Sequence, residues 1–255
     1  MRSFFLLSKK HVLRSMLFLA PSLIFGENNH KANSSCGFCS SIKDGHLAMQ
    51  IGYYWSYQGK SQHIDIEGLI GDDFTITSHG DSNGFFGLGY FLQGIKKNWV
   101  EFDYGVNAFY LANTSVSGNV VQENLFTNLS YSYDLAHYPI YAAAESTFRV
   151  TNSTFSITTF AGLGVNFMWA RNFKEHALNE FTIPDDIFSS HNTPNFSATA
   201  GVGFRSCVWR RLFLELGYRF FYLGQGSFDK TSSLVQDRLS TGNCYGNSLV
   251  LSMGF

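Results

Sequence analysis

Val100–Tyr110 reads VEFDYGVNAFY, with Val100, Phe102, Tyr104, Val106, Ala108 and Tyr110 on every second position and Glu101, Asp103, Gly105 and Asn107 between them. Side chains of an extended chain point alternately to opposite faces, so this spacing predicts a strand rather than a helix. The second face is the informative one. A soluble sandwich buries its apolar face against another sheet and turns a polar face to water. Glycine, amide and carboxylate packed together suit instead the narrow interior of a small barrel whose apolar face meets lipid.

The same period recurs at 47–57, 85–93, 156–169, 196–208, 212–222 and 248–255. These runs are close to the ~9–11 residues that a tilted strand needs to cross a bilayer. In the run 212–222, Leu212, Leu214, Leu216, Tyr218, Phe220 and Tyr222 alternate with Phe213, Glu215, Gly217, Arg219 and Phe221. Composition agrees: 255 residues hold 26 Phe, 13 Tyr, 4 Trp and 24 Gly, and only 15% are charged. No stretch approaches the roughly 20 apolar residues of a membrane helix, which argues against a helical membrane protein.

Connection lengths set the strand count. The turns at 94–98 and 209–210 are short, whereas 58–84, 170–195 and 224–247 are long, the asymmetry expected between the periplasmic and outer rims. With both termini in the periplasm, 125–149 must be one long descending strand, although its apolar residues change phase: Leu125, Leu129, Tyr131, Tyr133 and Leu135 are odd-numbered, and Tyr138, Ile140, Ala142, Ala144 and Phe148 even-numbered. A bulge beside Pro139 would produce such a slip. Eight strands result, with nine or ten as alternatives. Tyr57, Tyr110, Trp169 and Tyr222 then mark the outer ends of upward strands, and Trp99 and Phe255 the inner ends, as aromatic girdles do.

The first 26 residues carry Arg2, Lys9, Lys10 and Arg14 around and ahead of an apolar run from Met16 to Phe25, the pattern of a cleaved export signal. Its removal shifts the formal net charge from −1 to −5, which argues against nucleic acid as a partner. Residues 27–45 read as a polar, flexible periplasmic tail, and 46–255 as the barrel. Cys36 and Cys39 in that tail can close a disulfide in an oxidising compartment, without the strand and helix of a thioredoxin-like site. Cys207 and Cys244, expected near opposite rims, are too far apart to bridge.

Inside the barrel the pattern places Glu101, Asp103, Glu145 and Glu215 with Arg149, Arg205 and Arg219. Charges in so narrow a lumen must pair, and a packed salt-bridge plug is favoured over a gated ion path. Ser78–Ser82 (SHGDS) and Ser189–Asn192 (SSHN) bring Ser and His together in sequence, but on long loops without rigid support. His63, His79, His176 and His191 lack metal-ligand spacing, and the GLG stretches at 87–89 and 162–164 precede no helix, so they are read as lumen glycines rather than phosphate cradles. No catalytic group, metal or cofactor is expected.

Taken together, residues 47–255 resemble the eight-stranded outer-membrane barrels of the OmpA, OmpW and Opa type. The closing LVLSMGF is similar to the C-terminal signature of that class, which implies that Leu249, Leu251, Met253 and Phe255 are read by the barrel assembly machinery. A narrower resemblance, to surface barrels of intracellular gammaproteobacteria, is carried by NLSYSYDLAHYPIYAAAESTF, TTFAGLGVNFMWAR, NFSATAGVGFR and LELGYRFFYLGQGSF. The expectation is a monomeric, non-enzymatic protein of the bacterial outer membrane, surrounded by lipid and lipopolysaccharide. Loops 58–84, 170–195 and 224–247 would meet a host or surface ligand; Phe173, Phe181, Ile183, Ile187 and Phe188 supply apolar surface in the second of them. A lipid-modifying rim enzyme and a small-solute channel are the alternatives.

Overall fold

The computed structural model describes residues 45–150, 153–209 and 212–255. The expected export signal, the tail apart from Gly45, and Cys36 and Cys39 lie outside the described residues. Among the described residues all regular structure is β. The long strands are β1 (His46–Tyr57), β4 (Gly80–Lys96), β5 (Val100–Gln122), β6 (Phe126–Arg149), β7 (Phe155–Ala177), β9 (His191–Trp209), β10 (Leu212–Ser227) and β12 (Ser240–Gly254). Short strands β2 (Gln62–Ile64), β3 (Asp72–Ser78), β8 (Phe188–Ser189) and β11 (Asp229–Lys230) lie between them.

The eight long strands close into a ring. Each pairs antiparallel with its neighbours in the order β1, β4, β5, β6, β7, β9, β10, β12, and β12 returns to β1. The seam runs in unbroken register from Ala48 opposite Gly254 to Tyr57 opposite Tyr245. Leu47 and Phe255 exchange both main-chain hydrogen bonds, at 3.0 and 3.1 Å. Such closure removes the sheet edges that would otherwise expose unpaired amides to lipid. The rim holding His46 and Phe255 is called the near rim, and the opposite one the far rim.

An apolar belt surrounds the near half. Ile51, Leu88, Tyr104, Leu163, Phe204, Leu216 and Leu251 are each between 43% and 64% exposed, although they are among the largest apolar side chains present. A surface of this kind is stable only against hydrocarbon. Leu249, Leu251, Met253 and Phe255 lie on that outer face at the near end of β12. The GLG glycines face inward: a Cβ on Gly87 would stand 2.4 Å from the Phe109 ring, and one on Gly164 only 1.9 Å from the Ile140 carbonyl oxygen.

Two expectations are corrected in the far half. First, most of the expected loops are strand. β5, β6 and β7 run for 23, 24 and 23 residues, about twice a bilayer crossing. The segment 58–84 contributes β3, which pairs with the far end of β5 from Asp72 opposite Gln122 to Ser78 opposite Ser117. It takes the place that β4 holds lower down. Residues 123–125 join β5 to β6 through a tight turn closed by the Leu125 amide on the Gln122 carbonyl; its central residues Glu123 and Asn124 are both at positive φ (52° and 57°), the type I′ geometry that matches strand twist.

Second, the phase change in β6 is not a bulge. Odd-numbered residues face inward along the whole strand, from Leu129 through His137 to Glu145 and Thr147. What changes is the medium outside. Within the belt, Ile140, Ala142 and Ala144 turn outward to lipid; beyond it Leu129, Tyr131, Tyr133 and Leu135 turn inward, and Asn128, Ser130, Ser132 and Asp134 face water. The apolar residues change sides because the solvent does. Pro139 sits in the ladder and leaves a gap in the β5–β6 pairing between Ala108–Ile140 and Leu111–His137. The bulges are in β5 at Ala112–Asn113, opposite Ala136, and in β7 at Asn172, whose φ is 56°; β6 itself is irregular only at Asn128, near its far end, where Val120 pairs with Leu129 and Val121 with Thr127. In β5 the bulge reverses the side chains, so its even-numbered apolar residues face lipid below it and the interior at Val116 and Val120 above it.

Candidate functional site

The barrel interior has two levels with opposite chemistry. The near level is ionic. Arg205 of β9 reaches Glu145 of β6 at 2.5 Å and Glu215 of β10 at 2.7 and 3.0 Å, and also donates to the Thr147 hydroxyl at 3.3 Å. Its guanidinium lies 3.9 Å from the centre of the Phe213 ring. Both carboxylates are buried, and Arg205 is the cation that hydrogen-bonds to each of them. The arrangement follows from register, since Glu215 is opposite Arg205 on the neighbouring strand.

The other expected lumen charges divide into separate contacts. Glu101 stays at the near rim, accepting from the Gln93 amide at 2.5 Å, with Arg149 at 3.6 Å and Lys96 at 3.7 Å. Arg219, 2% exposed, donates to Gln50 at 2.5 Å and lies 3.8 Å from the centre of the Phe160 ring. Asp103 faces inward beside Glu145 across the β5–β6 ladder. Gln50 and Thr147 had no signal in the sequence beyond their inward phase.

The far level is apolar and aromatic. Phe74 of β3 stands 5.1 Å from Tyr131, 5.7 Å from Phe188 and 6.4 Å from Phe173, measured between ring centres. Phe228 stands 5.0 Å from Tyr133 and 5.9 Å from Phe173. These rings belong to one buried cluster that continues down through Leu223, Phe221 and Tyr54. Thus the segment 170–195 divides in two. Phe173 and Phe188 are buried in the cluster, Ile187 packs against it, and Phe181 and Ile183 project, 95% and 88% exposed.

The Ser and His stretches separate in space. His79 stacks on Tyr57 at 4.9 Å and donates to the Gln58 carbonyl at 3.2 Å, while the Ser78 hydroxyl turns to the Gly80 carbonyl at 3.4 Å. His191 Nδ1 meets Asp229 at 2.7 Å, and Arg238 holds the other carboxylate oxygen at 3.1 Å. The Ser189 hydroxyl points to the Asp229 main-chain carbonyl at 3.5 Å and not to the imidazole. In both stretches the serine hydroxyl is directed to a main-chain carbonyl and the imidazole to another partner. Cys244 is a buried free thiol, and Cys207 is disulfide-bonded.

Glu175, the second inward residue after the β7 bulge, brings a titratable group to the far level. Burial pushes its carboxyl up to about 7, and the carboxylates of Asp72, Asp186 and Asp185 add to that push against the Asp185 amide donated at 3.3 Å. Because the folded protein holds this proton more tightly than the ordinary value of 4.5, the contribution to stability is fullest below that value and falls as pH rises toward about 7. Amides at 185–187 are therefore expected to exchange hydrogen faster at about pH 8 than at about pH 5, after correction for intrinsic rates, and Glu175→Gln to flatten the difference. An equal ratio in the parent protein and the variant would count against this role.

No protein-family model and no curated protein matches the chain. Among solved structures it is similar to the outer membrane protein OprG of Pseudomonas aeruginosa, at 14% identity over 84% of this chain and 97% of that one, with a TM-score of 0.44. It is similar also to the outer membrane protease OmpT of Escherichia coli (6% identity, 84% and 97% covered, TM-score 0.46). A third is Ail, the attachment invasion locus protein of Yersinia pestis (15% identity, 83% and 97% covered, TM-score 0.35). The fold of the described residues is an antiparallel β-barrel of eight long strands with an outward apolar belt, as its own pairing and exposure show.

Proposed function

We propose that the protein is a non-catalytic outer-membrane barrel that carries a rigid, water-exposed platform for surface contact and conducts no solute. The observation behind this reading is the double filling of the interior, by the Arg205 ion-pair network at the near level and the Phe74–Tyr131–Phe173 cluster at the far level. An eight-stranded interior is just wide enough for side chains to fill, so two filled levels leave no water path. The far half is built as a platform: its strands continue past the belt with polar outer faces, and its core is made of buried aliphatic and aromatic side chains, as in a soluble domain.

The short near-rim connections and the extended far rim favour periplasmic termini and an outward-facing platform. Leu69, Ile70, Leu125, Phe126, Phe181 and Ile183, all at least 60% exposed, are the apolar positions available to a host or surface ligand. Outer-membrane lipid and lipopolysaccharide would surround the belt, and the assembly machinery would read Leu249, Leu251, Met253 and Phe255. No nucleic-acid partner is proposed, and the closed ring is complete as a monomer.

Reconstitution of the full chain into lipid bilayers of outer-membrane composition tests the reading. Expected are silent current traces and an unchanged lipid profile after prolonged incubation. Stepwise conductance would move the assignment to a channel, and deacylated or modified lipid would move it to a rim enzyme.

A further inference from the structure

His46, Asp103 and Glu145 converge on the lumen near the near rim from β1, β5 and β6, and their ligand atoms all lie within 4.8 Å of one another. We propose that these three residues form a divalent-cation site for a first-row transition ion, with Zn²⁺ the best fit.

Three features support the assignment. Asp103 and Glu145 are direct cross-strand partners, both facing inward and both buried. Like charges directly opposed on neighbouring strands repel each other. Arg205 relieves part of this through one oxygen of Glu145, but it is shared with Glu215. A dication between the two carboxylates would turn their repulsion into shared attraction.

The second feature is His46, which is 9% exposed and whose Nε2 is buried without a hydrogen-bond partner. A buried polar atom with no partner is costly, and a neutral imidazole that brings a ring nitrogen within 4.8 Å of two carboxylates is a donor that a metal would use. Third, the ring is already held in place. It stacks on Phe91 at 5.4 Å and meets the edge of Phe213 at 5.3 Å, so little freedom would be lost on binding.

One nitrogen and two carboxylate oxygens suit Zn²⁺ with water in the fourth position, whereas Ca²⁺ and Mg²⁺ prefer all-oxygen shells. Ligands ~2.1 Å from a tetrahedral ion stand about 3.4 Å apart, so side-chain rotations must draw the three donors inward by roughly an ångström. The ion would tie β1 to β5 and β6 across β4, beside the seam where β1 meets β12.

The test uses the full chain in detergent micelles, stripped with chelator and titrated with zinc chloride at neutral pH by calorimetry. One equivalent of Zn²⁺ is expected to bind, excess Mg²⁺ and Ca²⁺ are expected not to displace it, and cobalt substitution is expected to give ligand-field absorption without a thiolate charge-transfer band. His46→Ala and Asp103→Asn should each weaken binding at least about tenfold. Asp103→Asn preserves shape, so it remains informative if His46→Ala fails to fold. No saturable equivalent, unchanged affinity in the folded variants, or a thiolate band placing the ion on Cys36 or Cys39 would each overturn the assignment.

Discussion

Replacing Arg205 with methionine is expected to destabilise the barrel by about 3–5 kcal/mol, because Glu145 and Glu215 would remain charged in a closed interior with their shared cation gone. Arg205 contacts both carboxylates at 2.5–3.0 Å, whereas the direct contacts of Arg219, the other buried cation nearby, go to Gln50 and the Phe160 ring. The damage is expected to be repairable. Adding Glu145→Gln and Glu215→Gln to Arg205→Met removes the stranded charges and should recover most of the loss, since a neutral network of like shape replaces the ionic one. The measurement is the denaturant midpoint at which the unboiled, faster-migrating form disappears on gels. A single variant with an unchanged midpoint would mean that water reaches the carboxylates, and the lumen would then not be closed at this level.

Phe74→Ala should have an effect of similar size, about 3–5 kcal/mol, but confined to the far half. Phe74 is fully buried and touches rings contributed by β6, β7 and β8, so its removal leaves a cavity where the platform's elements meet. The membrane-embedded half has its own ladder and its own ionic network. The variant is therefore expected to keep heat-modifiable migration while proteases gain access to 58–79 and 178–190. Loss of both properties together would show that the two halves unfold as one unit, and the separation drawn here would fail. The two substitutions thus probe different forces: desolvated charge in one case, aromatic packing in the other.

Much of the architecture was legible in the sequence, for a specific reason. In β5, β10 and β12 the lipid-facing residues alternate with lumen residues at a period of two, and Phe102, Leu216 and Leu251 stand out from Asp103, Gly217 and Ser252 in hydropathy alone. The charges Glu145, Arg205 and Glu215 were legible for the same reason, since inward phase together with a narrow lumen forces pairing. His46 passed unremarked. A single histidine at a strand's first inward position has no spacing partner, and its convergence with Asp103 and Glu145 depends on strands 57 and 99 residues further along.

The far half shows where sequence reasoning stopped. In β6 the change from odd to even phase suggests an extra residue beside Pro139, yet the strand keeps one phase from Leu129 to Thr147; its own irregularity lies at Asn128 near the far end, and the other bulges lie in its neighbours β5 and β7. The sequence alone determined that this chain forms strands, where the apolar residues fall in each, and which charges share a face, because these depend only on the alternation of side chains. Where along a strand the apolar residues change from the lipid side to the interior was decided by the tertiary structure. Alternation is the same pattern whether the grease points outward to lipid or inward to a dry core, and only the closed ring, with hydrocarbon around one half and water around the other, makes Ile140 face out and Leu135 face in.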